Sequence, residues 1–291
     1  MTADDEKPLM IYRGNCHCAA YVFEAKLPEV SKGIPCNCSS CYKRGAICSP
    51  TTAQVTFVKG DPATLSTYTF GSKRFKHQFC SSCGSYLICS VTTTSPQGEV
   101  TYVNLRVIQD LSVWDLDIVP YDGASRLPAY EPPVFKGEEP GAEIERAKVY
   151  TGSCHCGAVT LALKSQPLDE TYEEKVIECN CSICSRNAYC WVYPKKNQVT
   201  IDGAENLSYY AFGRGIGQKS FCKTCFVPIH NRFEFTDEQL AAMSQEDREW
   251  ASRGMAMCPV NLRLLEGVDL SSLKVQKVTE SVLREPRYVN P

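Results

Sequence analysis

Thiols one or two residues apart can bind a single ion, because a tight turn brings both sulfurs to one side; zinc takes such sulfurs in tetrahedral geometry without a redox step. The chain writes this spacing out in one order and then repeats it. Cys16-His17-Cys18 is followed by Cys36-Asn37-Cys38-Ser39-Ser40-Cys41 and by Cys80-Ser81-Ser82-Cys83. Later come Cys154-His155-Cys156, Cys179-Asn180-Cys181-Ser182-Ile183-Cys184 and Cys222-Lys223-Thr224-Cys225. In each series the first pair and the last pair make two halves of a closed four-thiolate site. These are Cys16, Cys18, Cys80 and Cys83, then Cys154, Cys156, Cys222 and Cys225. Such a site staples an early strand to a later hairpin and adds folding energy directly. The remaining triplets, Cys36, Cys38 and Cys41, then Cys179, Cys181 and Cys184, supply three ligands and leave a coordination position open, as a catalytic zinc requires. Up to four Zn2+ per chain follow. Cys48 and Cys190, shortly downstream, are candidates to close the triplets with a fourth thiol, and spacing leaves both outcomes open.

The repetition sets the architecture. The second series trails the first by 138 residues from Cys16 to Cys154, by 143 from Cys36 to Cys179 and by 142 from Cys80 to Cys222. Val103-Asn104-Leu105-Arg106 recurs as Val260-Asn261-Leu262-Arg263, an offset of 157. The jump from 142 to 157 places an insertion of 15 residues in the second copy, around Thr236 to Met257. Thr236 and Gln239 read as a capping box, and Leu240, Met243 and Trp250 as one face of a helix covering an edge of the second domain. Ala20–Phe23, Gln54–Val58, Val100–Val107, Ala158–Leu163 and Gln198–Ile201 read as strands, rich in Val, Thr, Tyr and Phe. The expected fold is mainly β. A first domain covers residues 1–127, a proline-rich linker 128–148 and a second domain 149–291, with little helix outside the insert.

Hydrophobic residues at 43% and charged residues at 22% mark a globular chain. A net charge of −2 gives no basic field for nucleic acid and no polybasic membrane anchor. No apolar run approaches the roughly 20 residues that span a bilayer. The acidic start lacks the apolar stretch of a secretory signal, so a cytoplasmic location is expected, where 18 cysteines argue for metal sites over disulfides. His17 and His155 lie between two proposed ligands and point to packing roles. His77 aligns with Lys219, and His230 with Ile88; neither histidine is repeated, so neither reads as a shared ligand. Cys89 and Cys258, also unrepeated, read as buried small hydrophobes.

The ordered motifs Gly-x-Cys-His-Cys, Cys-x-Cys-Ser-x-Cys and Phe-Cys-x-x-Cys resemble the glutathione-dependent formaldehyde-activating enzyme family, also called the centromere protein V family, over about residues 11–120 and 149–275. The resemblance implies an Mss4-like β fold around the four-thiolate zinc, and a second zinc on the triplet to which a thiol such as glutathione comes. It also implies carbon–sulfur lyase chemistry on S-hydroxymethylglutathione. Two positions depart from the family pattern. Ala19 stands for a glycine in the first copy and Phe226 for one in the second, where a bulky residue must avoid positive φ or strain it, so that knuckle is expected to be reshaped.

An enzyme of this kind needs cations for the glutathione carboxylates. Lys73, Arg74 and Lys76 precede Cys80, and Arg214 and Lys219 precede Cys222; Lys43, Arg44 and Arg186 are alternatives. Tyr42, Tyr189 and Tyr193 are candidate proton donors. The expected partner is a small-molecule thiol or thiol adduct, with glutathione as co-substrate. The rival readings are a binding protein whose zincs only hold the fold, and a Lewis-acid zinc enzyme acting on a larger metabolite.

Overall fold

The computed structural model describes residues 8–94, 98–126 and 128–291; the acidic start through Lys7 and the expected domain boundary at Leu127 lie outside them. The chain divides into two compact units, one built mainly from the residues through Tyr130 with Ser185–Ala188 and Val289–Pro291, the other from Glu131–Cys184 and Tyr189–Tyr288.

In the first unit the elements are β1 (Met10–Asn15), β2 (Val22–Leu27), β3 (Lys32–Pro35), α1 (Ser39–Arg44), β4 (Ile47–Cys48), β5 (Gln54–Lys59), β6 (Ser66–Tyr68), β7 (Phe75–Phe79), β8 (Tyr86–Thr92), β9 (Glu99–Val103) and β10 (Asp117–Ile118). They form three sheets ordered β1-β2-β5, β10-β3-β4 and β6-β7-β8-β9. The second unit repeats the plan with β11 (Lys148–Ser153), β12 (Thr160–Ser165), β13 (Val176–Cys179), α2 (Ser182–Asn187), β14 (Cys190–Val192), β15 (Val199–Asp202), β16 (Leu207–Ala211), β17 (Gln218–Cys222), β18 (Pro228–Arg232), α3 (Asp237–Ala241), α4 (Gln245–Met255), β19 (Val260–Asn261) and β20 (Val275–Val278). Here β11-β12-β15 form one sheet, and β16-β17-β18-β19-β14-β13-β20 run as one seven-stranded sheet. The expected strands are present, with β12 shifted by two residues and β15 by one, β2 starting two and ending four residues later than expected, and the run Val100–Val107 ending as a 3-10 turn at Leu105–Val107. The central strands are buried on both faces over part of their length: Val22, Phe23, Ala25 and Leu27 along β2, and the consecutive Leu161, Ala162 and Leu163 along β12.

The insert forms two helices. The Thr236–Gln239 capping box starts α3, and Ser244 caps α4 by accepting from the Asp247 N–H. Leu240 and Met243 pack on Ile216, Phe233 and Ala251. Trp250 instead stands exposed, its ring under the Arg214 guanidinium 5.3 Å away. Helix also occurs outside the insert, as α1 and α2. Within the expected linker, residues 128–148, Ala142 is buried and its N–H donates to the Asn197 carbonyl at 3.2 Å.

Both substituted glycine positions keep their left-handed backbone, at φ +59 for Ala19 and +58 for Phe226. The second knuckle is therefore not reshaped. Phe226 N–H donates to the Cys222 carbonyl at 3.0 Å, as Gly84 does to Cys80 at 2.9 Å, and its ring packs on Phe221 at 5.8 Å. Burial of that ring offsets a backbone cost of about 1–3 kcal/mol. Ala19 is half-buried and has no ring to bury. Ala19→Gly is therefore expected to stabilise the first unit by about 1 kcal/mol, read as a higher denaturant midpoint; a lower midpoint would contradict the strain.

His230, on β18, is buried with Nδ1 3.0 Å from the Asn231 carbonyl, and burial lowers its pKa. The folded chain then binds fewer protons than the unfolded one below the ordinary value near 6.5, so its stability contribution is present above that pH and lost as pH falls below it. In urea titrations from pH 7.5 to 5, His230→Gln should flatten this fall; an unchanged slope counts against it.

Candidate functional site

Each four-cysteine group joins two hairpins. In the first unit the β1–β2 turn carries Cys16 and Cys18 and the β7–β8 turn carries Cys80 and Cys83; all four sulfurs lie within 4.8 Å of one another. Cys154, Cys156, Cys222 and Cys225 repeat this in the second. Neighbouring sulfurs are 3.5–3.6 Å apart, Cys16 to Cys18 and Cys18 to Cys80, then Cys154 to Cys156 and Cys156 to Cys222. A disulfide needs about 2.05 Å, whereas sulfurs about 2.3 Å from one zinc form a tetrahedron with edges of roughly 3.8 Å. Backbone donors complete each knuckle: Tyr21 N–H points at Cys16 Sγ and Val159 N–H at Cys154 Sγ, both at 3.3 Å. Such donors favour thiolate, so the donor set fits zinc.

The triplets are built by a strand end and a helical turn. Cys36 follows β3, Cys38 is the N-cap of α1 and Cys41 lies within it; Cys179 ends β13 and Cys184 lies in α2. A helix this short closes because its last turn is capped by a left-handed residue, Gly45 at φ +56 and Ala188 at φ +54. Asn37 and Asn180, the middle residues of Cys-Asn-Cys, pin the turn to a distant strand. Asn37 donates from Nδ2 to Asp122 Oδ1 and accepts from Ala124 N–H, each at 2.8 Å, and its own N–H reaches the Tyr121 carbonyl at 3.2 Å. Asn180 N–H reaches the Val278 carbonyl at 3.0 Å and its Nδ2 the Thr279 carbonyl at 2.5 Å. The sequence reading missed both asparagines, although both stand at the same place in the repeat.

The three sulfurs of each triplet lie within 4.8 Å of one another, and among the described residues no further cysteine, histidine or carboxylate joins either group. Cys48 and Cys190 are not equivalent. Strand register sets Cys48 opposite Ile34 with a bridge to Asn104, and Trp191 opposite Ile177 and Asn261. Trp191 is thus the counterpart of Cys48, and Cys190, the counterpart of Ile47, lies on the other face of the pleat.

The surroundings of the two triplets differ. In the first, hydrogen bonds from Cys36 and then Cys41 push the Cys38 thiol down to about 2, with His77 adding to the effect. His77 is buried, its Nδ1 3.0 Å from the Tyr86 hydroxyl and its ring stacked on Phe70. A Cβ on Gly123 would fall 2.4 Å from Cys36 Sγ. In the second, Cys181 and then Cys184 push Cys179 down to about 2, and the Ser281 hydroxyl contributes. Ile183, Tyr189, Trp191, Tyr193, Tyr210 and Phe212 wall this triplet. Burial, with the Cys184 and Cys179 charges, raises the Tyr193 pKa, which keeps its proton on the ring.

The candidate cations scatter. Lys73 and Arg74 are exposed on the turn before β7. Lys76 is ion-paired with Glu99 at 2.6 Å. Arg214 pairs with Glu246 at 3.1 Å and with Asp247. Arg44 is buried, donating to Ser40 and lying over the Phe79 ring at 5.0 Å, while Lys43 and Arg186 are also buried. Lys219 alone of the five lies by a triplet: its ammonium opposes the rise of the Cys181 thiol, which hydrogen bonding from Cys179 mainly drives.

Two β units, each with a four-sulfur knuckle and a three-sulfur group, define a tandem cysteine-cluster protein whose clusters could hold zinc. The sequence profile of the glutathione-dependent formaldehyde-activating enzyme matches residues 11–119 and 149–246, and the chain belongs to that family. A crystallised Rhodobacter sphaeroides protein is 25% identical over 44% of this chain and 97% of its own, with a TM-score of 0.32. No helix among the described residues is long and apolar enough to cross a membrane.

Gly123→Ala is expected to displace Cys36 and cost the chain one metal equivalent, with the others retained, as read by elemental analysis of the purified protein. A full complement in the variant would contradict the close approach.

Proposed function

We propose that this chain is a carbon–sulfur lyase-type enzyme that cleaves or forms the adduct of an aldehyde with glutathione or another thiol at its three-cysteine groups. What carries the reading is the grouping of three sulfurs without a fourth protein ligand among the described residues, in both units. Cys36, Cys38 and Cys41, and Cys179, Cys181 and Cys184, would hold the ion, and bound zinc supplies a Lewis acid that favours thiolate over thiol.

The reaction balances simply. The hydroxyl of the adduct gives up its proton as the carbonyl forms, the carbon–sulfur bond breaks with its electron pair on sulfur, and the thiol takes a proton in turn. Tyr193 would hold or return that proton in the second unit; burial, which keeps its hydroxyl protonated near the charges of Cys184 and Cys179, supports this role. The aromatic wall packed around the same triplet lowers the local polarity, which strengthens each charge interaction beside it. Lys73 and Arg74 are the exposed cations available in the first unit for the carboxylates of glutathione.

Cys38→Ser and Cys181→Ser combined should lower turnover of a formaldehyde–glutathione mixture at least about 100-fold, a loss on the scale of several kcal/mol of barrier, while the far-UV spectrum is kept. Wild-type turnover in the folded double variant would overturn the proposal.

A further inference from the structure

Lys219 is 8% exposed, and among the described residues its ammonium makes no hydrogen bond and no ion pair with a carboxylate; the charges it faces are those of Cys181 and Cys184 in the triplet. It lies instead over two rings, 4.3 Å from the Trp191 centroid and 5.1 Å from that of Tyr189. An ion on the triplet would take up that thiolate charge, and ring faces alone return only part of the cost of burying an ammonium. Its neighbours are in the same condition. The Trp191 indole N–H is buried with no hydrogen-bond partner, and so is Asn231 Oδ1. Asn231 sits directly across from Lys219 in the β17–β18 register, so both side chains leave the same face of the sheet. Three strands thus bring together a cation, a donor and an amide whose bonding capacity is unspent, and Trp191 belongs to the cluster that encloses Cys184 and touches Cys179 and Cys181.

The first unit has none of this. There the position of Lys219 is His77, bonded to Tyr86; the position of Trp191 is Cys48; and Cys89 stands across from His77 where Asn231 stands across from Lys219. Resting on the thiol-site reading above, we propose that Lys219, Trp191 and Asn231 form an anion subsite beside the second triplet, which takes the carboxylate of a small carboxylate-bearing thiol or thiol adduct. The first unit then serves adducts with no carboxylate beside the sulfur. One cation with one indole donor matches a singly charged planar group, and Asn231 Oδ1, an acceptor, would take the proton of a hydroxyl adjacent to the carboxylate. An adduct of a thiol with an oxo acid has this combination, with sulfur, hydroxyl and carboxylate on neighbouring atoms.

Mercaptoacetate and 2-mercaptoethanol, thiols of similar size differing in the carboxylate, test this by calorimetric titration onto the full-length metal-loaded chain. One of two thiol sites should prefer mercaptoacetate by about tenfold, Lys219→Met should abolish the preference, and Lys219→Arg should keep part of it. If the Met variant does not fold, Lys219→Gln against Lys219→Arg makes the same comparison of charge lost with charge kept. Equal affinity of the wild-type chain for both thiols, or a preference surviving loss of the charge, overturns the assignment of Lys219 alone. Absence of binding by either thiol overturns the thiol-site reading together with this one.

Discussion

Sulfurs held 3.5 Å apart where two hairpin turns meet, largely out of water, repel one another as thiolates and waste their burial as thiols. Only a cation between them resolves the conflict, and both units are arranged around that requirement. A structural zinc on four thiolates contributes an apparent 10–16 kcal/mol, roughly, which matches or exceeds the whole stability of an ordinary domain, about 5–15 kcal/mol. The hairpins it joins are short, and the cores behind them are correspondingly modest. The left-handed backbone of Ala19 and Phe226 is tolerated within this frame, because the knuckle fixes the turn more strongly than one residue's conformational preference can loosen it.

The same requirement works differently at the triplets. Three sulfurs close only part of a coordination shell, so the surroundings decide what the group does. In the first unit a histidine–tyrosine pair and a glycine pressed to Cys36 form those surroundings; in the second, an aromatic wall, a serine hydroxyl and a lysine do. The repeat keeps the sulfurs and lets the walls diverge.

Much of this was legible in the chain. Sulfur spacing divided each copy into four and three, and the offsets located the insert, since both depend only on order along the sequence. The helices α1 and α2 were not legible, because six residues carry no periodicity, although Gly45 marked the end of the first. Cys48 and Cys190 looked alike because offsets of 142 and 143 differ by one residue, and one residue reverses the face of a strand. Asn37, Asn180 and Gly123 act through strands some 80–100 residues away in sequence, which spacing within a motif cannot reveal. Lys219 was noted for its charge, yet its meaning comes from Trp191 and Asn231, brought beside it by pairing across the sheet.

The division into closed and open sulfur groups is tested most directly by counting zinc in the purified chain and following its release to a chelator. The account predicts four ions per chain, two released readily from the triplets and two retained until the units unfold. Two tightly held ions and no labile ones would contradict it.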